Sequence, residues 1–170
     1  MTSNAASLKP KAHSESMNVG LTAAYRREMA KDLSDILAES YRLLIKSHIY
    51  HWNVVGPLFK PLHELTEEHY KALFEAIDIV AERIRALGHL APANLDMAAR
   101  FAPKAGEAEH LTAASMIDDL IAGHEAAVRL ARTTATKADD HSDVVTADML
   151  TDRLTFHEKA LWMLRAIASE

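Results

Sequence analysis

Histidines and carboxylates crowd one stretch of the first half of the chain, and their spacing is typical of a metal site. His63 and Glu67 are four residues apart, so both would project from one face of a helix. Asp78 and Glu82 form a second pair with the same spacing. His51 lies just before a Gly-Pro turn signal that can fold it back beside His63. The chain has no cysteine, and nitrogen and oxygen ligands in this mixture favour iron or zinc over calcium or magnesium.

One straight helix cannot bring both pairs to the same ion. His63 and Asp78 are separated by roughly 22 Å of helix, whereas a divalent ion lies only about 2 Å from each ligand. If the helix pairs antiparallel with its own copy, a register that matches Glu67 with Asp78 also matches His63 with Glu82. We therefore predict a dimer interface that carries two equivalent sites, each shared between the two subunits.

An alternative interpretation is that these side chains share no role. A single His/Glu pair with this spacing is common on solvated helix faces. Asp78 and Glu82 could equally be ion-pair partners of Arg83 or Arg85. Spacing alone leaves both interpretations open.

Four long helices would position these residues. Apolar residues that recur every three or four positions predict helices over 21–53, 58–87, 112–137 and 144–168. A long connection, with a short helix at 95–101, separates the second helix from the third, which is typical of a four-helix bundle. We predict an all-α protein with one bundle domain over 18–170 and a flexible tail over 1–17.

Composition narrows the classes of function. The net charge of −5 opposes a protein whose whole surface binds nucleic acid, although Lys9 and Lys11 in the tail could bind DNA weakly. An ordinary frayed terminus is the alternative interpretation of that tail. No apolar run reaches the roughly 18 residues of a membrane span, and the N-terminus lacks the apolar core of a secretory signal. We therefore expect a cytoplasmic protein with no membrane contact.

The sequence resembles the Dps family, the mini-ferritins named as DNA-binding proteins from starved cells. The resemblance covers roughly residues 20–168. It is carried by His51-Trp52-Asn53, Gly56-Pro57, Phe59, Leu62-His63-Glu64, Asp78, Ala81-Glu82-Arg83-Ile84, Leu87-Gly88 and Leu161-Trp162-Met163-Leu164. It implies a ferritin-like four-helix bundle with a short helix in the long crossover. It also implies a dodecameric shell of identical subunits with two-fold and three-fold interfaces.

The resemblance further implies a ferroxidase that oxidises Fe(II), preferentially with hydrogen peroxide and otherwise with dioxygen, and stores a ferric mineral. Removing both reagents would protect DNA. The family's ligands carry over onto His51, His63, Asp78 and Glu82, whereas Glu67 stands where Asp is commonest. Each site would hold at most two iron ions, with zinc as a substitute. The alternative function is a nucleoid-associated protein that shields DNA physically, in which case the protein would lie on the nucleoid.

Two further roles are implied by the resemblance. Trp52 would lie beside the iron centre, as a shield or an electron donor, although plain interface packing explains it equally well. Asp143, Asp148 and Asp152 would line an iron-entry pore at a three-fold axis, where a ring of carboxylates attracts ferrous ions. The alternative is that acidic residues simply favour a helix N-terminus.

Four of the remaining histidines lie in the helices but do not belong to this ligand set. We interpret them as core or interface residues: His48, His69, His124 and His157.

Overall fold

The computed structural model describes residues 11–103 and 112–169 of the 170-residue chain. Within these ranges the chain is helical and has no strand. The four long helices are α1 (Ala23–Asn53), α2 (Phe59–Ala86), α4 (Ala113–Asp140) and α5 (Val144–Ala168). The predicted short helix is also present, as α3 (Leu95–Ala98) followed by a 3₁₀ turn (Ala99–Phe101). The all-α prediction is confirmed, and each predicted end lies within three residues of the observed one.

Local side-chain chemistry sets the helix ends. The Thr22 hydroxyl accepts a hydrogen bond from the backbone of Tyr25 and caps α1. Thr112 and Ser115 form a reciprocal capping box at the start of α4. Gly88 ends α2 with a φ of 88°, a left-handed conformation that favours glycine.

The long helices pack as a ferritin-like four-helix bundle, as predicted. α1 packs against both α2 and α4, and α4 packs against α5. Fully buried side chains fill the centre, with Leu33 and Leu43 from α1, Leu73 and Ile84 from α2, and Leu150 from α5. No helix in the described part of the chain is long and apolar enough to cross a bilayer.

The segment before α1 contacts the end of α2. The Glu15 amide donates a 2.8 Å hydrogen bond to the Gly88 carbonyl, and the Glu15 carboxylate pairs with Arg85 at 3.1 Å. Lys11 is exposed, whereas Lys9 lies outside the described residues. Residues 13–17 therefore lie against the bundle, and the domain boundary after residue 17 stays a prediction.

Candidate metal centre

His51 and His63 face each other across the turn between α1 and α2. His51 lies in the last turn of α1, and His63 lies in the second turn of α2. Their rings stack with centroids 3.7 Å apart and planes 17° apart. Each ring is only partly buried, so both remain open to one side. The turn therefore brings together the two histidines that the sequence analysis expected to meet.

Two reciprocal hydrogen bonds hold these rings. The Nδ1 atom of His51 lies 2.8 Å from the His63 carbonyl oxygen, and the Nδ1 atom of His63 lies 2.8 Å from the His51 carbonyl oxygen. A carbonyl oxygen only accepts hydrogen bonds, so both Nδ1 atoms must carry the proton. In the neutral ring with this tautomer, the lone pair that binds a metal is on Nε2. This is how the backbone orients metal-binding imidazoles in proteins.

Glu67 lies beside these histidines, one turn further along α2. Lys71 forms an ion pair with the Glu67 carboxylate; the Lys71 side chain is exposed and that of Glu67 is partly buried. The hydrogen bond from Lys71 lowers the pKa of Glu67, and the nearby His51 and His63 add to that shift. The Glu67 carboxylate is therefore ionised at neutral pH, but the Lys71 ammonium competes with a metal ion for it.

Asp78 and Glu82 lie on the same helix but not at the same place. Both are exposed, and the 15 positions between His63 and Asp78 correspond to roughly 22 Å of continuous helix. Arg83 pairs with Asp143 and Arg85 with Glu15, so neither arginine takes the partnership that the alternative interpretation gave it.

The described part of one chain brings no three His, Asp or Glu side chains together to bind a metal. The inter-subunit site over His51, His63, Glu67, Asp78 and Glu82 therefore stays a prediction.

One exposed stripe along α2 connects the two carboxylate positions. Its members follow each other at three- or four-residue steps and share one helix face. They are the partly buried Glu67 and the exposed Lys71, Phe74, Asp78 and Glu82. Phe74, in the middle, exposes 69% of its surface to solvent. A cleft of about 680 Å³ opens beside Phe74 and Asp78, and it is lined by apolar side chains that include Ile77 and Phe101. A large aromatic ring in this position is unusual unless another surface covers it.

Trp52 is exposed next to His51 and stacks on another ring. Its indole lies 5.2 Å from the His48 ring at an interplanar angle of 9°. His48 in turn lies 4.1 Å from Tyr70, and Tyr70 meets His51 edge-on at 5.4 Å. His48 is therefore only partly buried, and it belongs to an aromatic row that links Trp52 to the histidine pair.

Asp143 departs from the prediction that it lines a pore. Its side chain is 1% exposed and caps α5, and one oxygen accepts a 2.6 Å hydrogen bond from Arg83. The other oxygen accepts hydrogen bonds from Tyr25 at 2.9 Å and from the Thr146 hydroxyl at 2.6 Å. A carboxylate with these partners cannot face a water-filled opening. The helix N-terminus alternative is thus the correct one for Asp143.

Asp148 and Asp152, by contrast, are exposed on α5. They line a shallow surface groove of about 640 Å³ together with Ile79, Val144 and Val145. The mixture of carboxylates and exposed apolar side chains is what an interface around a pore would require. The pore over Asp148 and Asp152 therefore stays a prediction.

Two residues of this region were not predicted from the sequence. Lys71 was detectable, because a lysine four residues after a glutamate is a standard helix-surface pair. Tyr70 was not, since nothing in its spacing distinguishes a ring beside His51 from a ring in the core. His69, His124 and His157, interpreted as core or interface residues, are buried in the core.

Comparison with known proteins places the chain among ferritin-like proteins. The ferritin-like domain family matches residues 30–170. An uncharacterized low temperature-induced protein of Nostoc sp. is 40% identical over 117 residues, which is 68% of this chain. The match spans 65% of that relative's own length, just under two thirds.

Two crystal structures have the same fold over most of the chain. The Dps protein of Vibrio cholerae O1, described as a ferritin-like diiron-carboxylate protein, superposes with a TM-score of 0.82 at 26% identity. That match covers 94% of this chain and all of the other. A Dps protein of Bacillus brevis gives a TM-score of 0.78 at 32% identity, covering 86% of this chain and 98% of the other.

Proposed function

The chain belongs to the ferritin-like family and, within it, to the Dps mini-ferritins, and from this membership we propose that it is a ferroxidase. Its substrate is Fe(II), its preferred oxidant is hydrogen peroxide with dioxygen as the other, and its product is a stored ferric mineral. Consuming ferrous iron and peroxide together removes the reagents that generate hydroxyl radicals, and so protects DNA.

The observation that carries this proposal is the reciprocal hydrogen bonding of His51 and His63. It directs the Nδ1 atom of each ring to the backbone and leaves each Nε2 atom available to a metal ion beside an ionised Glu67. Two nitrogens and one carboxylate make an incomplete ligand set, which is suited to iron or zinc and keeps coordination positions open. The donor set therefore fits ferrous iron as a substrate, with zinc as a substitute.

The missing carboxylates would come from a second copy of the chain. When two α2 helices pair antiparallel through their exposed stripes, Asp78 of one copy meets Glu67 of the other, and Glu82 meets His63. The same pairing buries the exposed Phe74 near the two-fold axis. Each interface then has two equivalent sites, and each site binds at most two iron ions.

Each residue has a separate role in this site. His51 and His63 bind iron through Nε2, and the three carboxylates neutralise the charge that rises as Fe(II) becomes Fe(III). Two ferrous ions supply the two electrons that one hydrogen peroxide molecule requires. Trp52, at the end of the aromatic row, shields the site from bulk water or supplies an electron when only one iron is bound.

The assembly that we propose is a dodecamer with two-fold and three-fold interfaces. Asp148 and Asp152 line the iron-entry pore at the three-fold axis, where a ring of carboxylates concentrates Fe(II). Asp143 is left out of this pore because its carboxylate is buried.

Stopped-flow absorbance tests the site directly. Ferrous iron is added anaerobically, followed by one equivalent of hydrogen peroxide for every two irons. We expect rapid oxidation by the wild-type protein and a strong loss in the His51→Ala/His63→Ala variant, with the assembly unchanged in size. His141→Ala, an exposed histidine outside the site, is the matched control and should oxidise iron at the wild-type rate.

Equal oxidation rates in the wild type and in His51→Ala/His63→Ala would overturn the assignment of these histidines to the iron site. If neither protein oxidised iron above the buffer rate while the wild type still protected DNA from cleavage, physical shielding of DNA would become the better explanation.

A further inference from the structure

Three histidines outside the proposed iron site meet inside the bundle. His69 comes from α2, His124 from α4 and His157 from α5, and they are 3%, 0% and 4% exposed. The His124 ring lies 5.0 Å from the His69 ring and 5.1 Å from the His157 ring. Three helices thus bring three imidazoles to one place in the core.

Their hydrogen bonding is incomplete. The Nδ1 atoms of His124 and His157 lie 2.9 Å apart, so one of them donates a proton to the other. Among the described residues, Nδ1 of His69 and Nε2 of His124 are buried and have no hydrogen-bond partner. A buried nitrogen without a partner destabilises the fold, and its presence in a native core calls for an explanation such as a bound ion or water.

The surroundings keep these imidazoles neutral. Burial lowers the pKa of His157 to about 3 and lowers that of His124 well below its usual value. Phe156 packs against all three rings at centroid distances of 5.0 to 5.9 Å. Neutral imidazole is the form that binds metals, so these rings are ready to bind an ion without first losing a proton to the solvent.

A cleft between α2 and α5 reaches this cluster from the surface. It has a volume of about 210 Å³ and is lined by His69 and Phe156, with Glu68 and Lys159 beside them. The volume is several times that of a water molecule, whose share of the liquid is about 30 Å³. A hydrated ion can therefore approach His69, and the Glu68 carboxylate lies on its route to balance the charge.

We propose that His69, His124 and His157 form a second metal site, inside the subunit, for one divalent first-row ion of the zinc class. Three imidazoles without a thiolate or a coordinating carboxylate favour zinc, copper or nickel over magnesium or calcium. The ion in this site is resident, in contrast to the iron that the inter-subunit site oxidises, and it ties three of the four long helices together.

Binding requires a local rearrangement of these side chains. Among the described residues no three side chains converge on an ion, and the Nδ1 atoms of His124 and His157 are hydrogen-bonded to each other. A tetrahedral ion with metal–nitrogen distances near 2.0–2.1 Å sets its ligands about 3.3 Å apart. The ion takes the place of the shared proton when the 2.9 Å separation widens by a few tenths of an ångström. The donor ring moves its proton to Nε2 and stays neutral, and the unpartnered Nδ1 atom of His69 supplies the third ligand.

Metal titration tests this site in the His51→Ala/His63→Ala protein, which lacks the two imidazoles of the other site. Co²⁺ is the probe, because its visible absorption reports four-coordinate nitrogen ligation, and Zn²⁺ is then added as a competitor. We expect one Co²⁺ per chain, displaced by Zn²⁺. His124→Phe, which keeps an aromatic ring in the core, should weaken binding by more than about tenfold. The exposed His141→Phe is the matched control and should bind as its parent does.

No Co²⁺ binding, or binding equal in the His124→Phe protein, would overturn the proposal and leave buried water as the partner of these nitrogens. If His124→Phe does not assemble, ¹⁵N chemical shifts of the imidazole nitrogens in the parent protein decide the question. Zn²⁺ must shift the Nδ1 resonances of His124 and His157, and unchanged resonances would count against the site.

Discussion

At the scale of the residue, the most informative feature is the pair of backbone hydrogen bonds between His51 and His63. Each histidine uses the main chain of the other as its orienting partner, so neither needs a carboxylate for that purpose. The turn between α1 and α2 therefore fixes both tautomers without help from the rest of the molecule. Glu67 is different, since its carboxylate is shared with Lys71.

Removing the lysine should release that carboxylate. We expect Lys71→Gln to tighten ferrous binding severalfold at low salt, because a positive charge beside the site is lost. Anaerobic titration with Fe(II) or Zn²⁺ measures this affinity. Lys60→Gln is the matched control, since Lys60 pairs with Glu64 on the same helix at 3.8 Å but one turn before the site. Equal effects of both variants would mean that only net charge matters.

The buried Asp143 should act on stability rather than on iron entry. Asp143→Ala leaves the Arg83 guanidinium without its partner and removes the cap of α5, a loss of about 3–5 kcal/mol for a broken buried pair. Thermal or urea unfolding measures it. Asp148→Ala, exposed on the same helix, is the control for stability and should instead slow iron entry. A stable Asp143→Ala protein with slow iron uptake would restore Asp143 to the pore.

The same carboxylate predicts a pH dependence. Burial alone would raise the pKa of Asp143, but hydrogen bonds from Thr146 and Tyr25 and the charge of Arg83 outweigh it and lower the pKa. A lowered pKa stabilises the fold above the unfolded value near 3.9, and this contribution is lost as pH falls through the folded value. The stability difference between the wild type and Asp143→Asn should therefore shrink in acid. A constant difference down to pH 2 would contradict this.

At the scale of the element, α2 carries almost all of the proposed chemistry, and its C-terminal end is held by the segment before α1. Gly88 has a left-handed φ, and a Cβ atom there would lie 2.5 Å from the Glu15 carbonyl oxygen and 2.8 Å from Met17. Arg26 donates a 3.1 Å hydrogen bond to the Leu87 carbonyl oxygen at the same end. The end of α2 is thus fixed both by the backbone conformation of Gly88 and by the residues that pack against it.

Substitutions at two glycines distinguish the contribution of backbone conformation to stability from that of packing. Gly88→Ala should destabilise the protein by about 1–3 kcal/mol from conformation alone, plus the cost of displacing residues 13–17. Gly56→Ala is the matched control, because Gly56 has a nearly equal φ of 86° but nothing within 4 Å of a Cβ atom. Urea unfolding of both variants, with and without residues 1–17, measures the difference. If the two variants are equally destabilised in the full chain, packing of residues 13–17 contributes nothing to the effect of Gly88→Ala.

At the scale of the whole molecule, we propose that the exposed stripe of α2 is half of a symmetric interface. It places a large aromatic ring between two sets of potential ligands that are too far apart to meet. A symmetric partner would cover this ring and would bring the two sets of ligands together. The proposed site is therefore a property of the assembly, and a lone subunit should not oxidise iron at the enzymatic rate.

Subunit mixing tests this sharing. His51→Ala/His63→Ala chains and Asp78→Ala/Glu82→Ala chains should each be inactive alone. After unfolding and refolding them as an equal mixture, about a quarter of the sites would combine intact histidines from one copy with intact carboxylates from another. Ferrous oxidation should return to that level. If the ligands all came from one chain, the mixture would stay inactive.

Much of the fold was predictable because it depends on local patterns. The three- and four-residue apolar period gave the four helices, and Gly88 and Thr112 marked ends that the structure confirms. The meeting of His51 with His63 was also predictable, since only a short turn separates them. Asp143 was not, because its partners Tyr25 and Arg83 are distant in sequence, and spacing cannot distinguish a buried cap from an exposed pore residue.

The sequence by itself determined the helices and the types of ligand. It also determined the distance along α2 that divides the proposed site between two subunits. Each of these follows from helical rise and residue chemistry. Only the tertiary structure decided which nitrogen of each histidine stays free, which aspartate is buried and that His69, His124 and His157 meet in the core. These depend on contacts between helices far apart in the chain, and a one-dimensional pattern carries no record of which helix faces meet.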